Sequence, residues 1–167
     1  GKFIDSRKNS FPGEVVSDFL QENENYFPKL EEFANNFFKK IQINNRAGYS
    51  TICEYLRNKH GIEVKDVVPD EKKSFTKQFD PIKKTFLVSD YLNLETKKLY
   101  AGAQVAQLEA NDIIDEYLNS FSFPSEESKK LSTVALLNYS GAAIIMPYKP
   151  FYDECIKQRY DVELLQN

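Results

Sequence analysis

The sequence predicts an α+β fold that is mostly helical, with one small sheet and a buried central pair of helices. Three observations predict it. Apolar residues recur at the helical period over residues 12–60 and again over 94–160, in stripes wide enough to cover a core. Between them, over 62–89, the period shortens and β-prone residues take over. Lastly, the segments 99–109 (LYAGAQVAQLE) and 136–147 (LLNYSGAAIIMP) gather glycine and alanine on otherwise apolar helices, which suits two helices in close contact. A chain of 167 residues is expected to form one domain, here 2–167, burying about 70% of the surface its unfolded form exposes. Its 13 Phe and 10 Tyr, within 41% apolar residues, are ample for that core.

Pro12 opens a first helix over 13–21, since Pro fits a first helical turn. A second spans 27–41, where Leu30, Phe33, Ala34, Phe37, Phe38 and Ile41 form the stripe. Ser50 is placed to cap a third, which Gly61 stops after His60. Ile62, Val64, Val67 and Val68 suggest a strand ending at Pro69. Residues 75–79 and 85–89 suggest a hairpin, because the intervening Asp80-Pro81 starts a turn. Ser89 or Asp90 is placed to cap a fourth helix over 94–118. Pro124 and Ser125, followed by Glu126 and Glu127, start a fifth that runs to Met146. Pro150 opens a sixth that ends near Arg159.

Several function classes are disfavoured. A net charge of −3, with lysine pairs scattered among acids, lacks the basic patch that holds phosphate backbones. No helix-turn-helix is visible, so any DNA-reading domain is expected outside this chain. No apolar run approaches the roughly 20 residues of a membrane helix. Cys53 and Cys155 lack metal-ligand spacing and read as small buried hydrophobes in a reduced cytoplasm. His60, the only histidine, has no partner for a metal site or a triad and sits where a helix C-terminus favours a cation. Glu31-Glu32 and Glu126-Glu127 read as dipole and solubility features of helix starts. Gly1 reads as a cloning remnant, and the chain stops in mid-pattern, as an excised piece of a longer protein does.

The two small-residue helices resemble the active-site helices of ImmA/IrrE-type zinc metallopeptidases. That scaffold carries His-Glu-x-x-His on one helix and a carboxylate ligand on another. The resemblance places these groups at Ala103, Gln104, Gln107 and Leu136, none of which holds zinc, so the implied scaffold is a non-enzyme with no metal or other cofactor. Asn138 and the sequence Ile144-Ile145-Met146-Pro147 keep the pattern. More narrowly, residues 11–20 (FPGEVVSDFL), 26–34 (YFPKLEEFA), the segment around Gln104, and 138–165 with its MPYKPF and RYDVELL pieces are similar to the short-chain fatty acyl transcriptional regulators. The likeness covers nearly the whole chain. It implies an effector-sensing domain of a bacterial XRE-type regulator, with a short-chain acyl-CoA or related metabolite as effector. Cytoplasmic location, a homodimer and DNA contact through a separate helix-turn-helix domain are also implied.

Tyr100, Ala103, Gln104 and Gln107 recur at i, i+3, i+4 and i+7, hence on one helix face. On the resemblance, that face is the former catalytic cleft, where the amides would meet polar groups of an acyl thioester and Ala103 would leave room. Asn138 and Tyr139 would complete the wall, though both are equally explained as buried-helix residues that need partners. The phosphates of CoA call for cations, and Arg46, Lys83, Lys84 and Arg159 are the candidates. The alternative is a dimerisation or protein-interaction module on the same scaffold, with no ligand.

Overall fold

Two long helices without strong amphipathic character form the axis of the molecule, and the remaining elements are arranged on either side of them. The computed structural model describes residues 11–41, 48–70 and 74–145. In order, these form α1 (Pro12–Glu22), α2 (Pro28–Ile41), α3 (Tyr49–His60), β1 (Glu63–Val67), β2 (Lys77–Asp80), β3 (Thr85–Ser89), α4 (Leu94–Glu109), α5 (Asn111–Asn119) and α6 (Glu126–Ile144). The axial pair is α4 and α6.

Local chemistry sets most boundaries. Gly61, at φ +67°, donates to the carbonyl of Arg57 while Ile62 donates to that of Leu56. These are the paired bonds that close a helix on a left-handed residue. Ser125 caps α6 by accepting from the Ser128 amide at 3.1 Å. In the hairpin, Asp80 accepts from the amides of Ile82 and Lys83, which folds the turn between β2 and β3. β3 lies central, antiparallel to β2 and parallel to β1.

The core falls into two clusters. One joins α2, α3 and the sheet through Phe37, Phe38, Ile52, Leu56, Phe86 and Val88. The other joins α1, the start of α2, and α5 through Val15, Phe19, Phe27, Leu30, Ile114 and Leu118. Both are closed by the axial pair: Ala101, Val105, Ala143 and Ile144 enter the first, Ala106 and Leu136 the second, joined by Ala110 just past α4. The pair itself touches backbone to backbone. A Cβ added at Gly141 would lie 2.4 Å from the Leu99 carbonyl oxygen and 2.9 Å from the Ala103 nitrogen, and one at Gly102 would lie 3.1 Å from Gly141 Cα. The glycines therefore permit the approach expected of the small-residue segments.

Four expectations need correction. The fourth helix does not run unbroken to 118: it ends at Glu109, and Ala110, at φ −115° and ψ 15°, turns the chain into α5. Ala106, Ala110, Ile114 and Leu118 keep their i, i+4 spacing across the break and all face the second cluster, so the apolar pattern conceals it. Ser50 does not cap α3, which begins one residue earlier, after Gly48. Neither Ser89 nor Asp90 caps α4; Asn93 does, accepting from the Thr96 amide at 2.9 Å. Ser89 is buried instead, and its hydroxyl accepts from the Tyr91 amide. The strand expected over 75–79 is shifted to Lys77–Asp80. The expected sixth helix lies outside the described residues. No helix among the described residues is long and apolar enough to cross a membrane.

Candidate functional site

From Ala101 to Ala106 every residue of α4 is buried, and among them is one polar side chain, Gln104, at 4% exposure. Its Nε2 has no hydrogen-bond partner among the described residues. A buried amide donor left unpaired costs about 1–3 kcal/mol, so such groups are rare and call for a partner. On α6, half-buried Asn138 holds an Oδ1 in the same condition, and Ser132 Oγ is a third such atom. Tyr100, one turn before Gln104, is half-buried against the first cluster, and Ala103 is buried. Gln107 is exposed. Of the four residues on the expected face, the structure turns three inward and leaves the last at the surface.

Tyr139 is occupied elsewhere. Its hydroxyl donates to Glu31 Oε1 and accepts from the Phe27 amide at 3.2 Å, while its ring meets Phe27 edge-on at 5.1 Å. It thereby braces α6 against the start of α2, on the opposite cluster from Tyr100. Glu31 is correspondingly not the solvated helix-start acid that its sequence context implied: it is 7% exposed. The apolar spacing of Phe27, Leu30 and Ala34 places position 31 on the covered side, which was the available signal.

Lys83 and Lys84 lie exposed in the hairpin turn. Lys84 adopts φ 53°, and its side chain approaches Gly61 at the C-terminal end of α3. The turn lies at the far end of β2 from Lys77, about 10 Å away by strand rise, and it is Lys77 that reaches α4. Its ammonium sits 4.5 Å from the centroid of the Tyr100 ring, and burial lowers its pKa. Lys77 was not among the cations expected from the sequence. Arg46 and Arg159 lie outside the described residues.

Two further polar groupings surround α3. Glu109 Oε2, at the end of α4, accepts from the Tyr55 hydroxyl at 2.8 Å and meets His60 Nε2 at 2.7 Å. His60 thus has a carboxylate partner besides its place at a helix end. Burial, then the bond to Glu109, raises the Tyr55 phenol above its usual range. An open cleft of about 360 Å³ between α3 and β1 is lined by Ser50, Cys53, Glu54, Arg57, Glu63 and Val64. Burial pushes the Cys53 thiol up to about 11, and burial followed by the bond to Asp66 raises Tyr49 beside it. Such a thiol is almost wholly protonated near neutrality and is a poor nucleophile. No cluster of three potential metal ligands occurs among the described residues.

Comparison with known proteins points to regulators of transcription. No family model matches the chain. It is similar to the HTH-type transcriptional regulator RamB of Mycobacterium tuberculosis, at 28% identity over 156 residues, 93% of this chain and 33% of RamB. The HTH-type transcriptional regulator PrpR of the same organism is 26% identical, over 92% of this chain and 32% of PrpR. A propionyl-CoA carboxylase regulator of Cereibacter sphaeroides is 24% identical, over 92% and 32%. A solved Mycobacterium tuberculosis transcriptional regulator matches with a TM-score of 0.78 at 25% identity, over 93% of this chain and 47% of that one. The chain spans about a third of the length of the curated relatives it matches.

Proposed function

We propose that this chain is the effector-sensing part of a bacterial transcriptional regulator, built on an ImmA/IrrE metallopeptidase-like scaffold without metal or catalysis. In this reading it binds a short-chain acyl-CoA or related acyl metabolite along α4 and α6, and a helix-turn-helix domain elsewhere in the longer protein reads DNA. The regulator works in the cytoplasm as a homodimer. Relatives named as transcriptional regulators, one of them of propionyl-CoA carboxylase, support the general role.

The observation that carries the ligand assignment is the unpartnered amide of Gln104. A thioester or pantetheine carbonyl would accept its proton, and the unpartnered Asn138 Oδ1 would in turn accept from a pantetheine N–H. In this reading the small side chain of Ala103 would make room for the acyl chain. An effector shifts DNA binding only by as much as its affinities for two conformations differ. Ligand contacts on the pair that closes both core clusters are suited to such a difference.

Thermal melts with acetyl- through hexanoyl-CoA, and free CoA as control, test the assignment. At a hundred times Kd a ligand selective for the native state adds about 2.7 kcal/mol, roughly 5–10 °C for a domain of this size. A flat response throughout, accompanied by a concentration-dependent dimer, would favour the interaction-module alternative.

A further inference from the structure

Lys77 occupies a position that strand alternation assigns to the core side of the sheet. It pairs with Val88 and shares a face with Phe79, which pairs with Phe86; both partners on β3 are core residues. The half-buried ammonium therefore stands on the helix-covered face, over the Tyr100 ring. It makes no ion pair with any described acid. The nearest acid along the strand, Asp80, is held by the turn amides. A ring face offsets only part of the cost of taking an ammonium out of water.

A second, independent group points the same way. Gln104 follows Tyr100 by one helical turn, and its buried Nε2 also lacks an acceptor. Tyr100 thus carries a cation without an anion over its ring and, one helical turn further along the same face, a buried amide donor without an acceptor. Both deficits are of the same kind, and an oxyanion supplies both with acceptor oxygens.

We propose that Lys77, Tyr100 and Gln104 form a binding site for a small oxyanion, a carboxylate or a phosphate group. Lys77 supplies the charge, Gln104 a neutral hydrogen bond, and the Tyr100 ring the floor beneath the ammonium. The site goes beyond the acyl-sensor reading, because it takes an oxyanion with or without an acyl chain.

The test titrates the 167-residue protein with sodium propionate and with inorganic phosphate, at ionic strength matched by sodium chloride, using calorimetry and melting temperature. Saturable binding of at least one anion is expected. Lys77→Met should weaken it by about tenfold or more, and Lys77→Arg should retain it. Binding of propionate alone identifies a carboxylate site, of phosphate alone a phosphate site, and of both a general oxyanion site. Heteronuclear NMR of the wild type gives a reading independent of any variant: the Lys77 and Gln104 side-chain signals should move with the bound anion. No saturable response beyond the chloride control, a Lys77→Met protein that binds like the wild type, or unmoved Lys77 and Gln104 signals would each overturn the proposal. Failure of the acyl-CoA panel alone would leave it standing.

Discussion

The carbonyl oxygen of Leu99 occupies the space into which a side chain at Gly141 would grow, 2.4 Å from where its Cβ would sit. Neither neighbour can yield cheaply, because both are helix backbone. Gly141→Ala is therefore expected to part α4 from α6 and to cost about 3 kcal/mol, at the upper end of usual overpacking penalties. Gly102→Ala, with a nearest approach of 3.1 Å, should cost less. Gly13→Ala, with nothing within 4 Å, should be neutral or stabilise by up to about 1 kcal/mol. Urea denaturation of the three variants gives the ranking, and a Gly141→Ala protein as stable as the wild type would contradict the packing.

Gln104→Leu should act in opposite directions on stability and on ligand response. Removing a buried amide that lacks a partner, with volume roughly kept, is expected to raise the stability of the free protein by about 1 kcal/mol. The same change should abolish much of the stabilisation by acyl-CoA. Paired melting curves with and without ligand measure both effects. A variant that is destabilised and still responds fully would remove Gln104 from the site.

Tyr139→Phe should destabilise without touching ligand response. It takes a hydroxyl away from buried Glu31 and from the Phe27 amide, a loss of about 1–3 kcal/mol for the partners left behind. Chemical denaturation measures the loss. A normal stability together with a weakened acyl-CoA shift would instead move Tyr139 into the pocket wall.

Alkaline conditions should weaken the fold. The Cys53 thiol is raised from 9.0 to about 11, so between those values the native protein holds a proton that the unfolded chain has released. Stability then falls as pH rises. The raised phenols of Tyr49 and Tyr55 act in the same sense above pH 10.0. Lys77 acts oppositely, since its pKa is lowered from 10.5: the unfolded chain binds the extra proton, and stability gains with pH only up to that value. Above pH 10.5 the falling contributions act alone, and melting temperature should drop there. At pH 8, alkylation of Cys53, followed by peptide mass spectrometry, should run about a hundredfold slower than for a thiol of unshifted pKa.

The elements that were legible in the sequence are those whose signals are local. Gly61 ends α3 because only a left-handed residue closes it, and Pro124-Ser125 begins α6 through a hydroxyl cap. The hairpin followed from Asp80. What was hidden depended on neighbours distant in sequence. The break at Ala110 leaves no mark on the apolar spacing, because both sides of it serve one cluster. Glu31 is buried because Tyr139, 108 positions away, meets it. In the candidate site, Tyr100, Ala103 and Gln104 were singled out by helical spacing and family likeness. Lys77 was not among the expected cations, although its parity with Phe79 on β2 marks it as inward-facing.

Because α4 and α6 contribute side chains to both clusters, separating the pair would open both halves of the core at once. Amides over 101–106 should accordingly be among the last to exchange with solvent, through openings as large as global unfolding. At Gly141 the two helices already lie as close as a residue without a side chain allows. A ligand seated on α4 would therefore bear at once on the sheet side, through Ala101 and Val105, and on the α1 and α5 side, through Ala106.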